Sequence, residues 1–510
     1  MEHKSAIELR NITKRFGKVV ANDGISMTIR SGEILAILGE NGSGKTTLMN
    51  MITGIYFPDE GEILVDGEPV CIRSPKDAYP LGIGMIHQHF KLVDVLTAAE
   101  NIILGLPGSR SLDLARVATR INELTDRYGF ELDPFKKIYE MSVSEKQTVE
   151  IVKVLYRGAR TLILDEPTAV LTPQETEKLF NVLRNMRSDG NAIVIITHKL
   201  NEVLELSDRV AVLRKGHYIG SVETKDATVA SLTEMMVGKR VELEIDRIPP
   251  VDPEDRLVVK DITCVNRDGV ITLNHVSFTA RSGEILGIAG VAGSGQKELL
   301  EAIAGLEAVE SGEIAYYPPG EAEEDLTKLS AVQITQLGVK LSFVPEDRLG
   351  MGLVSGMDMV DNMMIRSYKR GRTFMVDKKS PKTLAEHIIS ELQVVTPGVS
   401  TPVGKLSGGN VQKVLVGREI ASNPIVLMVA YPVRGLDINS SYTIYRLLNE
   451  QKKHGVAVIC VGEDLDVLLA LCDRILVMCD GQVTGIADAR TAGKEEIGLM
   501  MMQNERRARA

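Results

Sequence analysis

Ile34-Leu-Ala-Ile-Leu38 runs straight into Gly39-Glu-Asn-Gly-Ser-Gly-Lys45-Thr46, and Thr47-Leu-Met-Asn-Met51 follows. An apolar strand, a glycine-rich turn and the start of a helix stand in that order, the context a phosphate-binding loop requires. The glycines let backbone N–H groups close around phosphate oxygens, and the helix N-terminus adds positive potential. Lys45 is placed to neutralise the outer phosphates, and the Thr46 hydroxyl to ligate Mg²⁺. The expected contacts with a nucleotide are Gly39, Asn41, Gly42, Ser43, Gly44, Lys45, Thr46 and Thr47.

Thr161-Leu-Ile-Leu-Asp165-Glu166 is a second apolar strand, and it ends in two carboxylates. With a phosphate loop upstream, Asp165 is expected to hold the metal and Glu166 to orient and polarise an attacking water.

Working outward, the chain repeats itself once. Ser31-Gly-Glu-Ile-Leu35 recurs as Ser282-Gly-Glu-Ile-Leu286, and Asp208-Arg-Val-Ala-Val-Leu213 is echoed by Asp473-Arg-Ile-Leu-Val-Met478. Two copies of one domain fit this better than a solenoid, whose repeats are far shorter. The proline-bearing, acidic stretch 241–255 reads as a linker between a domain over 1–240 and another over 256–510. Short apolar strands alternate with helical runs in each half, which argues for α/β sheets with parallel strands. More helical segments interrupt the halves near 95–160 and 358–422. The 510 residues suit two domains, and a net charge of −10 disfavours a broad nucleic-acid footprint. Five scattered cysteines show no metal-ligand spacing and read as reduced, buried thiols. No stretch reaches the roughly 18 apolar residues of a membrane helix, so work at a membrane would need other chains to span it.

At this point the sequence resembles the ATP-binding cassette family over essentially its whole length. The resemblance implies two tandem cassettes, each with a RecA-like α/β core and a helical subdomain, using ATP and Mg²⁺. It makes Gln88, in Ile-His-Gln88-His-Phe, the glutamine that contacts Mg²⁺ and senses the γ-phosphate. His198 resembles the switch histidine of the family, and Phe16 stands where the family stacks an aromatic on adenine. Thr46, Gln88 and Asp165 are thus the expected metal contacts, and Glu166, His198 and Gln88 the expected catalytic ones.

The family's LSGGQ signature caps the nucleotide of the opposite cassette. Leu406-Ser-Gly-Gly-Asn410 keeps it nearly intact, so Ser407, Gly408, Gly409 and Asn410 join the expected nucleotide contacts. Met141-Ser-Val-Ser-Glu145 is degraded, with side chains at two glycine places and a negative charge at Glu145. The second half is altered too. Gln296 and Lys297 replace Lys45 and Thr46, while Ala430 and Tyr431 replace Asp165 and Glu166. Glu346 takes the place of Gln88, Glu463 that of His198, and Asn266 falls near that of Phe16. Paired head to tail, as in the family, the halves would assemble one complete site with Asp437 beside it. The other site would be poor, with Thr172 in the place of Asp437. One hydrolytic site per chain is expected, with Gly290, Gly293 and Gly295 still able to hold a nucleotide at the second.

The resemblance further implies two integral-membrane permease subunits, an extracytoplasmic substrate-binding (lipo)protein and a peripheral place on the cytoplasmic face of the membrane. Phe90, Leu92, Val93 and Val95 are candidates for the groove that receives the permease; core at a domain edge is the other reading. His87-Gln-His-Phe90, Tyr156-Arg-Gly-Ala159 and Thr197-His-Lys-Leu200 lean toward the nucleoside-uptake branch, with monosaccharide import the alternative. A soluble tandem cassette acting on ribosomes or DNA is disfavoured by the short acidic linker and the degraded second site.

Overall fold

The computed structural model describes residues 5–502, except 18, 88–89, 107–112, 170, 198, 239–244, 246, 267, 292, 344–347, 366–376, 422, 435 and 437. The chain divides into two compact units, Met1–Glu242 and Leu243–Ala510.

In the first unit six strands form one sheet in the order His217–Glu223, Arg209–Arg214, Ile34–Leu38, Ala192–Ile196, Thr161–Asp165, Ile83–Ile86. All neighbours run parallel except the first pair, which is an antiparallel hairpin. Ile34–Leu38 and Ala192–Ile196 are buried at every residue, as central strands covered on both faces must be. His217–Glu223 alternates exposed and half-buried residues, as an edge strand does. Beside this sheet lies an antiparallel one, ordered Val19–Arg30, Ser5–Phe16, Glu60–Val65, Glu68–Val70.

The strand Ile34–Leu38 lies between two strands that follow it much later in the chain. The loop leaving its carboxyl end therefore opens at a switch in strand order, where α/β sheets bind ligands. Two ion pairs fix its base. Arg209 bonds Glu33 at 2.6 Å with both side chains almost fully buried, and Arg187 bonds Asp208 at 2.7 Å. Asp208 in turn accepts the Ile34 N–H at 2.8 Å.

Helices Ala98–Ile103, Leu114–Tyr128 and Val143–Tyr156 form the helical subdomain around Ala98, Ile102, Ile121, Ile138, Val149 and Val152. Its helices start on side-chain caps at Thr97, Asp113 and Ser142.

The second unit repeats the plan. Its six-stranded sheet runs Val339–Phe343, Val426–Ala430, Ala457–Val461, Ile285–Gly290, Arg474–Cys479, Gln482–Asp488, the same connectivity as in the first. Glu284–Arg474 and Lys452–Asp473 reproduce the two ion pairs, and Asp473 accepts the Ile285 N–H at 2.9 Å. Helices Met359–Met364, Lys379–Glu391 and Gly408–Ile420 supply its helical part. Within the stretch read as linker, Ile245 packs on the core of the second unit. Arg247 donates to the carbonyls of Leu469 and Cys472 at 3.0 and 2.8 Å.

Cys264, Cys460, Cys472 and Cys479 are buried as expected, whereas Cys71 is exposed. Among the described residues no helix is long and apolar enough to cross a membrane.

Candidate functional site

Gly44 takes φ 97° and opens the helix Lys45–Ile52. A side chain at Gly44 would collide with the Ala21 carbonyl oxygen, and one at Gly39 with the Leu213 carbonyl oxygen. Backbone thus closes on the loop from outside, and only glycine fits at both places. The loop is braced by Ser43 N–H on the Glu40 carbonyl, Gly216 N–H on the Ser43 carbonyl, and the buried Asn22 amide on the Gly44 carbonyl. Asn22 was not legible as a brace from sequence, because nothing marks a lone asparagine 22 residues upstream.

Lys45 is buried and donates to the Gly39 and Glu40 carbonyls at 2.6 and 3.0 Å. Burial lowers its pKa, against the pull of the Glu166 and Asp165 carboxylates. Thr46 Oγ1 stands 3.4 Å from Asp165 Oδ2, so the two expected metal oxygens converge across 119 residues of chain. Burial, then the charge of Glu166, raises the Asp165 pKa, and Lys45 and Thr46 only partly offset this. A cation at this place would relieve the crowding.

Glu166 sits at φ 49°, an unusual conformation for a residue with a side chain. Its N–H donates to the Ile196 carbonyl at 2.8 Å, tying the acidic strand end to the strand that leads to His198. Gln88 and His198 lie outside the described residues, as do Glu346 and Asp437.

The loop passes two tests for a triphosphate. Ser43 Oγ is buried with no hydrogen-bond partner among the described residues, an orphan that a phosphate oxygen would satisfy. The Thr46 and Asp165 oxygens are the hard donors Mg²⁺ takes, and a site with few protein ligands suits an ion that keeps water and phosphate oxygens.

Phe16 ends the strand Ser5–Phe16 and is 43% exposed, so a planar ring can lie on it. Tyr56 packs edge-on against Phe16 at 5.2 Å, and the Lys14 ammonium lies 5.6 Å from its ring. Tyr56 was missed in the sequence, since only the fold brings it beside Phe16.

The two signature segments differ in kind. Ser142 caps Val143–Tyr156 in a closed box: the Glu145 N–H bonds Ser142 Oγ at 3.2 Å, and Glu145 Oε2 accepts the Ser142 N–H at 2.8 Å. Lys136 then holds Glu145 Oε1 at 2.6 Å. Burial pulls the Glu145 carboxyl up, but the bonds from Lys136 and Ser142 outweigh it and hold its pKa low. The Glu145 charge is thus engaged by the start of its own helix and by Lys136. Ser407 starts Gly408–Ile420 without capping it, because its oxygen accepts the Asn410 amide at 2.8 Å. Asn410 also accepts the Val395 N–H at 2.9 Å. A side chain at Gly409 would meet nothing within 4 Å, so that glycine is not demanded by packing inside its own unit.

The second loop keeps its shape and loses its chemistry. Gly293 and Gly295 sit at φ 88° and 96°, against 79° and 97° at Gly42 and Gly44. Gln296 replaces Lys45 and donates to the Val291 carbonyl at 3.0 Å, matching the bond from Lys45 to Glu40. Lys297 pairs along its own helix with Glu301 at 3.6 Å. Tyr431 copies the backbone of Glu166 at φ 50°, with its N–H on the Val461 carbonyl. Arg434 lies over its ring and bonds Glu463 at 3.3 Å.

A nucleotide loop in duplicate, an acidic strand end and a helical subdomain opening on a serine-glycine turn define an ATP-binding cassette ATPase with two cassettes. Residues 22–169 and 273–432 match the ABC transporter family, and the chain belongs to it. It is 40% identical to the nucleoside import ATP-binding protein NupA of Lactococcus lactis subsp. cremoris, covering 98% of this chain and 99% of that protein. It is also 40% identical to the guanosine import ATP-binding protein NupO of Bacillus subtilis, over 97% of both chains. The glucose import ATP-binding protein TsgD13 of Haloferax volcanii is 40% identical as well, over 98% of this chain and 96% of its own.

Proposed function

We propose that this chain is the ATP-hydrolysing subunit of a nucleoside importer, with a single hydrolytic centre. The observation that carries this reading is the contrast between its two copies. Lys45 and Thr46 face Asp165 and Glu166 at the carboxyl ends of two strands, whereas Gln296, Lys297, Ala430 and Tyr431 hold the matching places with no carboxylate or hydroxyl for a metal, and the Lys297 ammonium pairs with Glu301 instead. Mg²⁺ would be held by Thr46 and Asp165, with Gln88, and would neutralise the triphosphate. Glu166 would orient the attacking water and His198 would contact the γ-phosphate, while Phe16 would stack on adenine. Ser407, Gly408, Gly409 and Asn410 would complete the centre, and the self-capped Ser142–Glu145 segment would not serve one.

Nucleoside cargo is supported by two of the relatives, which import nucleosides and guanosine, and by the segments 87–90, 156–159 and 197–200. The equal identity to a glucose-import protein makes monosaccharide uptake the second reading. Permease subunits would dock on the helical subdomain. There Val93 and Val95 are exposed beside Tyr139, whose N–H bonds the Asp94 carbonyl, while Phe90 and Leu92 are half-buried. A substrate-binding protein would reach the chain through them.

Uptake of labelled guanosine and labelled ribose is measured in cells lacking this chain, rescued with wild type or Glu166→Gln. Guanosine uptake restored by wild type alone supports the reading. Rescue of ribose alone transfers it to sugars, and rescue by Glu166→Gln refutes the single catalytic centre.

A further inference from the structure

Three side chains bridge the two ends of the first cassette's chemistry, and none has a role in the reading above. Lys199 directly follows His198. Its ammonium donates to the Thr168 carbonyl and to Glu202 Oε1, each at 3.0 Å. The Thr168 hydroxyl donates to Glu202 Oε2 at 2.5 Å, which closes the ring. Thr168 stands two residues beyond Glu166 and is buried, while Lys199 and Glu202 are half-buried. Glu202 lies in the first turn of the helix Leu200–Leu206, and Lys199 is the residue from which that helix starts.

Thr168 and Glu202 also line a small, partly open pocket with room for about one water, walled by Ala36, Pro167, Phe180 and Thr197 among others. A cyclic, charge-assisted cluster of this kind supplies direction as well as strength.

The second copy is an internal control. Strand for strand, Thr168, Lys199 and Glu202 correspond to Val433, Asp464 and Val467. All three partners are lost together in the cassette that has also lost its carboxylates and its histidine. The fold there is intact, so the cluster is not a requirement of the fold.

We propose that Thr168, Lys199 and Glu202 form a clamp of positioning residues that holds the start of the helix Leu200–Leu206, the element directly after His198 in sequence, in register with Glu166 for the hydrolytic step. This rests on the roles proposed for Glu166 and His198. The polar groups of the clamp are bonded to one another and to the Thr168 carbonyl, so it acts on turnover and not on nucleotide affinity.

The test uses the full chain and compares Thr168→Val, which installs the residue of the second copy, with Thr168→Ser, which keeps the hydroxyl. Lys199→Met removes the ammonium and keeps the stem. Thr168→Val and Lys199→Met should each lower kcat about tenfold, as misplacement of a catalytic group does, with KM for ATP within about twofold. Thr168→Ser should retain kcat within about twofold. The double variant should be little worse than either single one, because a closed ring breaks once. Wild-type kcat in Thr168→Val and Lys199→Met, or losses that follow the melting temperature and KM, overturn the clamp. Glu166→Gln is measured alongside. Retained turnover there would overturn the underlying catalytic assignment and the clamp with it, whereas its loss beside an active Thr168→Val would overturn the clamp alone.

Discussion

Replacing Lys45 by Gln separates what that residue does for the fold from what it does for ATP, because the second copy has already made the exchange. Gln296 occupies the same place in a loop of the same shape and keeps one carbonyl bond. Lys45 makes two. Losing a bond from a charged donor costs about 1.5–3 kcal/mol. Opposing it, burial depresses the Lys45 pKa, so the folded state disfavours the ammonium. Its cost to stability is present in full at neutral pH and is relieved only as pH rises through the lowered folded value toward the ordinary lysine value, and the neutral amide avoids it. These terms oppose each other, and the ligand-free first unit should change by no more than about 1 kcal/mol, or about 2–4 °C.

ATP binding has no such compensation. A charge-assisted contact to phosphate worth about 2–3 kcal/mol is lost, which weakens binding about 30- to 150-fold. At ATP a hundred times the wild-type Kd, the wild-type unit gains about 2.7 kcal/mol, and a variant weakened a hundredfold gains about 0.4 kcal/mol. Hydrogen exchange read on peptides covering 39–52 reports this loop and not its counterpart at 290–303. The expected result is unchanged protection without ATP and loss of the ATP-dependent gain. A variant that binds ATP as wild type does would refute the phosphate role. One that opens the loop without ATP would refute the balance of burial against bonding.

Other expectations follow from single contacts. Arg209→Met leaves the Glu33 carboxylate, which is 4% exposed, with only the Arg30 N–H at 3.0 Å and the Arg30 guanidinium at 3.8 Å, and should cost the first unit about 3 kcal/mol in a urea titration. Glu145→Gln weakens the box at Ser142 and the bond to Lys136, and should cost about 1 kcal/mol with ATPase activity unchanged. The Glu145 pKa is held below its usual value by these bonds. Its contribution should therefore be complete above the ordinary carboxylate pKa of about 4.5 and vanish as pH falls through the lower folded value. A pH series of wild type against Glu145→Gln checks that sign.

Features carried by consecutive residues were legible. The strand, turn and helix around Lys45 needed no partner to be read, and the acidic strand end at Asp165 drew its meaning from that loop. The repeat told the second unit's topology in advance. What escaped were contacts that depend on where strands return. Tyr56 beside Phe16, Asn22 behind Gly44 and Lys136 on Glu145 come from separate elements, with no periodicity to connect them. Glu145 shows where residue chemistry alone stops short. Its charge was legible, but whether it faced a ligand or its own helix was decided by a serine three residues earlier and a lysine on the preceding turn.

The two copies also separate the residues that make the fold from those that use it. Glu33 and Arg209 persist as Glu284 and Arg474, while Arg187 and Asp208 persist as Lys452 and Asp473. The aspartate still accepts the N–H at the base of the loop strand. Even the strained backbone is kept, with Tyr431 at φ 50° where Glu166 sits at 49°. That conformation therefore belongs to the strand-end turn and its bond to the neighbouring strand, not to the carboxylate. A fold that keeps this turn without the carboxylate can lose or regain such side chains without refolding. The second cassette, degraded in chemistry and intact in frame, is what such a separation predicts.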